Sequence, residues 1–269
     1  MTGQDPAAVR IDTSKPHPAR MYDWFLGGKD NYPVDEEMAG QLLALEPRGR
    51  EMARVNRAFM HRATRWLGGN GIRQYLDIGT GIPTEPNLHQ IAQQAAPESR
   101  VVYCDNDPIV LAHAEALLRS TPEGVTEYIQ ADARDPEIIL AAAGKVLDFS
   151  RPIALSMLAL LHFVDDEDGA YALVDRLTAR LAPGSYLVLS HTTGDFDPEK
   201  AAQARAMYTA RGLTLRLRSR AEFTRFFDGL ELVDPGVSLT ADWQPQLGEV
   251  VEVQGDDPIP GYAGVARIG

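Results

Sequence analysis

Between residues 74 and 211 the chain repeats one pattern five times: a short β-rich apolar run, then a helical stretch. The runs are QYLDI (74–78), VVYCD (101–105), TEYIQAD (126–132), PIALSML (152–158) and SYLVLS (185–190). The helical stretches lie near 85–96, 107–119, 135–146, 166–181 and 198–211. Units of about 25–30 residues leave room for a helical crossover, so successive strands run parallel and helices cover both sheet faces. The tail differs. A strand near 230–240, a loop with several prolines and GYAGVARIG (261–269) follow without a long helix, which predicts an antiparallel hairpin at the sheet edge. Ahead of the repeats, residues 21–67 are helical in pattern. Met52, Val55, Phe59, Ala63 and Trp66 recur at three- and four-residue spacing as one apolar face, which Gly68, Gly69 and Gly71 terminate. The polar first twenty or so residues read as a loose arm. The expected fold is a doubly wound, mainly parallel α/β sheet with an antiparallel last strand and a helical N-terminal cap. Arm and cap occupy 1–70 and the sheet domain 71–269.

A chain of 269 residues can bury the core of such a fold, and 44% hydrophobic with 24% charged residues is an ordinary globular balance. A net charge of −12 argues against binding nucleic acid or anionic lipid by bulk attraction. With Cys104 alone, no intrachain disulfide forms, and without a leader or a long apolar stretch the expected setting is the cytoplasm, with no membrane partner. The six histidines lack ligand spacing, so no metal is expected.

In an open α/β sheet, ligands bind beyond the carboxyl ends of the strands. There the chain reads QYLDIGTGIPT (74–84), and Gly79 and Gly81 let the backbone turn sharply and approach a ligand. A tight turn holding no ligand is the plainer alternative. A dinucleotide fingerprint needs a third glycine where this chain has Thr84. Asp77, just ahead of the turn, would repel a pyrophosphate but attract an ammonium and a sulfonium, the two cations of S-adenosylmethionine. Asp105 ends the second run and suits vicinal ribose hydroxyls, Asn106 is placed to border the adenine, and Asp132 ends the third run within reach of the adenine amino group. Any one of these acids also reads as a helix cap, since Asp107 and Asp135 each precede a proline. Three acids at three consecutive strand ends favour a ligand.

At these residues the chain resembles the class I S-adenosylmethionine-dependent methyltransferases. More narrowly, it is similar to an actinobacterial S-adenosyl methyltransferase family first catalogued as a domain of unknown function. The segments that carry this are ARMYDWFLGGKDNY (19–32), RVNRAFMHRA (54–63), QYLDIGTGIPT (74–84), VVYCDNDPIVLAHAEALL (101–118), LLHFV (160–164) and LAPGSYLVLSHTT (181–193). The resemblance implies a Rossmann-like, seven-stranded sheet with a reversed last strand. It also implies that Gly79, Thr80, Gly81, Asp105 and Asp132 line the cofactor site, with Met157 and Leu158 beneath the methionine moiety. Pro83 stands where the wider superfamily usually has a glycine, and Asp35-Glu36 where the narrower family is expected to place a basic residue after the aspartate.

Tyr22, Trp24, Phe25 and Tyr32 surround Gly27 and Gly28. This segment reads either as a lid over the sulfonium, hinged at the glycines with Tyr22 facing the cofactor, or as an amphipathic helix ending at Gly27. Arg50, Arg54, Arg57, His61 and Arg65 form a basic stripe, read as a solvated face or as steering for an anionic acceptor, with Asn56 and Arg57 the best candidates for a role in the site. Methyl transfer needs a base only if the nucleophile keeps its proton at neutral pH. His162 and His191 follow strand ends and are candidate bases or packed histidines; Arg57 is a third catalytic candidate. The Asn-Pro-Pro-Tyr type of motif that marks amino methylation of nucleic acids is absent: the fourth run continues SMLALLHF. The expectation is therefore S-adenosylmethionine-dependent methyl transfer to a small-molecule, possibly anionic acceptor, with no nucleic-acid partner. The alternatives are a non-catalytic module binding S-adenosylmethionine or S-adenosylhomocysteine, and, further off, a nicotinamide-dependent reductase. Oligomeric state is not legible.

Overall fold

The computed structural model describes residues 11–117, 119–248 and 250–269; the first ten residues of the expected arm lie outside it. Three helices come first: α1 (Pro18–Leu26), α2 (Pro33–Leu45) and α3 (Gly49–Gly69). The alternation then unfolds as read. It comprises β1 (Gln74–Ile78), α4 (Leu88–Ala95), β2 (Arg100–Asp105), α5 (Pro108–Leu117), β3 (Val125–Gln130), α6 (Pro136–Ala143), β4 (Ala154–Leu158), α7 (Ala170–Thr178), β5 (Tyr186–Thr192) and α8 (Pro198–Thr209). A short α9 (Arg220–Thr224), β6 (Glu231–Leu232), β7 (Ser238–Leu239) and β8 (Gly261–Arg267) complete the chain.

The sheet has the order β3-β2-β1-β4-β5-β8-β6, with β7 also paired to β8, and its first five strands are parallel. Order reverses between β1 and β4, so the β1 and β4 turns diverge and open a crevice above the sheet. The tail departs from the expected edge hairpin, and the strand count is eight rather than seven. β8 runs antiparallel between β5 on one side and β6 and β7 on the other. Composition explains this: GYAGVA is buried throughout, and a side chain at Gly264 would meet the Phe227 ring at 2.8 Å, so β8 must be covered on both faces. The exposed, two-residue β6 takes the edge instead.

Two apolar layers sandwich the sheet. On one face Leu76, Val102, Leu155, Met157 and Leu187 pack with Ile139, Leu173 and Phe223; on the other Tyr75, Val101, Ala154 and Val188 pack with Phe59, Ile91 and Trp243. The apolar face of α3 belongs to this second layer, with Phe59 5.5 Å and Trp66 6.3 Å from the Trp243 ring. α1 and α2 stand above the strand ends with a small core of their own around Met21, Met38, Tyr208 and Leu215. Among the described residues no helix is long and apolar enough to cross a membrane, and no group of three or more His, Cys, Asp or Glu side chains is placed to hold a metal.

Candidate active site

The crevice is a single cavity of about 890 Å³, near the upper end of the ~300–1,000 Å³ usual for ligand pockets. Its floor is made by the strand ends. Gly79 (φ 75°) and Gly81 (φ 69°) both lie in the left-handed region that favours glycine, and a Cβ on Gly79 would stand 2.7 Å from Leu160. The turn after β1 therefore has the shape it has because both positions are glycine.

Sheet register places Asp77 beside Ser156, whose hydroxyl donates to Asp77 Oδ1 at 2.6 Å; the Thr80 hydroxyl donates to Oδ2 at 3.1 Å. Asp105 accepts from the Gly81 N–H on one oxygen (2.8 Å) and from the Asp107 N–H on the other (3.0 Å). Burial pushes both carboxyls above the ordinary range. Each keeps unused lone pairs, so the two acids are poised to gain from a cation or from hydroxyl donors. The cap reading proves right for Asp107, which accepts from the Ile109 N–H, and it does not describe Asp105. Asp132 also lines the cavity but is held by Arg134 in two contacts of 2.9 and 2.6 Å, which lowers its pKa. Asn106 borders the cavity between Asp105 and Asp132.

Other expected site residues fall elsewhere. Met157 does not line the cavity; strand alternation turns it into the lower core, and Leu158 faces the ligand space instead. Gly27 and Gly28 are also outside the lining. Gly27 caps α1 in the left-handed conformation, and a Cβ on Gly28 would collide with the Asp23 carboxylate. That carboxylate accepts from the Asp30 N–H and the Asn31 amide, at 2.9 and 2.8 Å, so the glycine pair belongs to a braced turn. Tyr22 does face the cavity. Its hydroxyl donates to the Ala53 carbonyl and accepts from the Asn56 amide, both at 3.0 Å. Asn56 Oδ1 accepts from Ser190 Oγ at 2.5 Å, and Ser190 Oγ accepts from the Ala159 N–H at 3.0 Å. This chain ties α1 and α3 to the ends of β4 and β5. Ala159 itself is held at φ 52°, unusual for a residue with a side chain.

The basic stripe is neither a solvated face nor a free anion site over most of its length. Arg50 lies 4.2 Å from the centre of the Trp24 ring and donates to the Trp24 carbonyl. Arg57 donates to the carbonyls of Thr84 and Pro86, His61 contacts the Pro86 carbonyl, and Arg65 donates to Leu247 O. The stripe pins loops, Arg57 the one that follows the glycine turn. Arg54 and Arg65 are its exposed members.

Both candidate bases line the cavity and both are buried. His191 is locked: Nε2 accepts from Arg218 at 3.0 Å, which leaves Nδ1 to donate to the Thr192 carbonyl at 2.6 Å. Burial, with Arg218 behind it, lowers its pKa to about 3. His162 is 6% exposed and its Nδ1 has no partner; burial, His191 and Arg218 together hold its pKa well below the usual value. Sequence reasoning missed Arg218, which organises this end. Fully buried, it donates to Asp166 Oδ1 at 2.6 Å, to the carbonyls of Leu161 (2.7 Å) and Val164 (2.9 Å), and stands 5.1 Å from the Phe226 ring centre. Its only local trace is the alternation RLRSR (216–220). Also missed was the tie between the cap and the turn after β2, where buried Arg20 sits 3.0 Å from Asp107 and 3.5 Å from Asp35. The Asp107 approach is an ion pair without the alignment of a hydrogen bond.

A family model described as S-adenosyl methyltransferase matches residues 4–269. The chain belongs to that S-adenosyl methyltransferase family. A DUF574 family protein of Streptomyces avermitilis is 48% identical with a TM-score of 0.91, over 96% of this chain and 99% of that one. A Thermobifida fusca protein provisionally described as a methyltransferase is 38% identical with a TM-score of 0.83, over 95% and 96% of the two chains. An O-methyltransferase family protein of Burkholderia thailandensis, 11% identical with a TM-score of 0.50 over 94% of this chain and 64% of that one, shares the fold alone. Comparison with the curated proteins returns no match.

The protein is thus an S-adenosylmethionine-dependent methyltransferase, and the residues at the strand ends fit that cofactor on their own chemistry. Two buried carboxylates and a glycine cradle face the cavity, Arg134 is paired with Asp132, and Arg57 is turned to the Thr84 and Pro86 carbonyls. A pyrophosphate would face two buried carboxylates against the single guanidinium of Arg57; a sulfonium with an ammonium finds two counter-charges.

Proposed function

We propose that the protein transfers the methyl group of S-adenosylmethionine to a small-molecule acceptor that enters between the helical cap and the sheet. The observation that carries this reading is the single cavity that has Asp77, Gly79, Gly81, Asp105 and Asp132 at one end and Tyr22, His162 and the cap core at the other. In this reading Asp105 accepts from the ribose hydroxyls and Asp77 attracts the ammonium. The backbone of residues 79–81 lies close along the ligand, and Asn106 with Asp132 borders the adenine. Leu158 takes the place beneath the methionine moiety that Met157 leaves. Tyr22, Asn56 and Ser190 fix the roof against the strand ends, so the reacting centre is held dry and aligned. When bound, the cofactor supplies a methyl group on a sulfonium, a leaving group that needs no activation by the protein.

The alternative, a module that binds the cofactor without catalysis, draws support from the tied and weakly basic His191. Titration with S-adenosylhomocysteine and an acceptor screen separate the two. Wild type binds, and the Asp105→Ala variant binds about 10–100-fold more weakly, the worth of hydrogen bonds to a charged group. Acceptor-dependent release of S-adenosylhomocysteine establishes transfer. Binding that never becomes turnover across chemically diverse acceptors favours the module, and equal binding by Asp105→Ala removes the proposed site.

A further inference from the structure

The cavity has a second end that the cofactor reading leaves unassigned. It is lined by Phe25 and Leu42 of the cap, Phe163 after β4, and Tyr208, Leu213 and Leu217 in and after α8. These side chains pack around the small cap core and apart from the two sheet layers. The charged residues at its rim are already paired. Arg48 donates to Glu46 and to the Asp257 carbonyl at 3.2 and 2.9 Å, and Lys200 lies 3.5 Å from Glu46 and 3.7 Å from Asp197. Arg134 is paired with Asp132, and Arg57, which gives Nη2 to the Thr84 and Pro86 carbonyls, stands at the cofactor end, so no lysine or arginine among the described residues bordering the chamber itself is left for an anion. An acceptor carboxylate would be buried without a counter-charge, which is costly.

One polar group faces this chamber uncommitted. Among the described residues the His162 side chain makes no hydrogen bond, its Nδ1 is closed off without a partner, and its ring lies 4.2 Å from Phe163 and 5.3 Å from His191. A buried imidazole that makes no hydrogen bond is unusual enough to ask for a ligand, which would meet it at Nε2, the nitrogen that is not closed off. Resting on the methyltransferase reading, we infer that the acceptor is an uncharged hydroxylated aromatic, a phenol, seated in the Phe25–Leu42–Phe163–Tyr208 chamber with its hydroxyl on the His162 imidazole. Aromatic walls suit a flat ring. A weakly basic imidazole also favours a phenol, with a pKa near 10, over an aliphatic alcohol, which holds its proton far more tightly. The phenol oxygen gains the methyl carbon and gives its proton to His162, which passes it to water. The carbon–sulfur electron pair stays on sulfur, and a neutral thioether leaves. The anionic acceptor suggested by the basic stripe is set aside.

The test is calorimetric titration of the protein saturated with S-adenosylhomocysteine, using 2-naphthol, its anionic counterpart 6-hydroxy-2-naphthoate, and naphthalene. Wild type is expected to bind 2-naphthol about tenfold or more tighter than the carboxylate, and Leu42→Lys to narrow or reverse that ratio. His162→Phe is expected to weaken 2-naphthol while leaving naphthalene unchanged, a split that a merely structural histidine does not produce. Equal or tighter binding of the carboxylate by wild type overturns the inference. So does binding of S-adenosylhomocysteine with none of the three aromatics, an outcome that leaves the cofactor reading intact. Failure to bind S-adenosylhomocysteine itself overturns both.

Discussion

The two ends of the cavity are built on opposite principles. At the cofactor end, carboxylates are buried at a cost and held ready by backbone N–H groups and hydroxyls: Asp105 by Gly81 and Asp107, Asp77 by Ser156 and Thr80. At the far end the lining is apolar, the rim charges cancel, and the histidines are kept neutral. Among the residues that line the cavity, charge is buried without a paired counter-charge only at the cofactor end, where a cationic ligand can offset it; away from the lining, buried Arg20 is matched by Asp35 and Asp107. Arg218 is the exception at the otherwise neutral far end: its charge braces the floor between the ends and is matched by Asp166 and two carbonyls.

That exception gives the largest expected effect. Replacing Arg218 with Leu leaves two carbonyls and His191 Nε2 unmatched and Asp166 with Arg216 alone, and should cost about 3–5 kcal/mol in urea unfolding. Arg134→Ala, which breaks a half-exposed pair at the cofactor end, should cost no more than about 1 kcal/mol. Comparable losses would erase the distinction between a brace and a surface pair. Next comes Gly79→Ala. The left-handed backbone costs about 1–2 kcal/mol for a residue with a side chain, and the contact with Leu160 adds to it. Affinity for S-adenosylhomocysteine should fall with stability, whereas Gly27→Ala, outside the lining, should lose stability alone.

The smallest effect is a pH dependence whose sign differs between the ends. His191 and His61 have pKa values lowered to about 3 and about 4, by burial first and then by Arg218 and Arg57 respectively. The unfolded chain protonates them first, so they leave stability intact above about pH 6.5 and remove it as pH falls from there towards 4. Asp77 and Asp105 are raised, so acidification through their folded pKa favours the folded, unliganded protein and opposes a ligand that needs them ionised. The histidines should therefore lower free-protein stability below pH 6.5, the two acids should offset part of that loss at lower pH, and the extra stability given by S-adenosylmethionine should shrink as the acids protonate. Thermal melts at pH 5 and 7.5, with and without ligand, read both terms. A ligand gain that grows on acidification would contradict the assignment of these acids.

The same contrast explains what could be read in advance. β1 falls on the run QYLDI, and the glycine turn with its acids was legible because each strand end is a short local pattern of apolar residues, then an acid or a glycine. Met157 was misplaced by one residue, which in a strand turns a side chain to the other face. Gly27 and Gly28 looked like a hinge because sequence does not show Asp23 folding back beneath them. The far end was not legible at all. Its walls come from segments near 25–42, 163 and 208–217, and Arg218 acquires its role only by reaching Asp166 and His191 across the fold. The position of β8 likewise depends on which face Gly264 must present to Phe227.

The most direct test of this division is a crystal structure of the protein with S-adenosylhomocysteine. The expected result has the ribose hydroxyls on Asp105, the amino group near Asp77 and the glycine turn, and the chamber beside His162 free of the nucleoside. Adenosine lodged among Phe25, Leu42 and Phe163, with Asp105 untouched, would contradict the account.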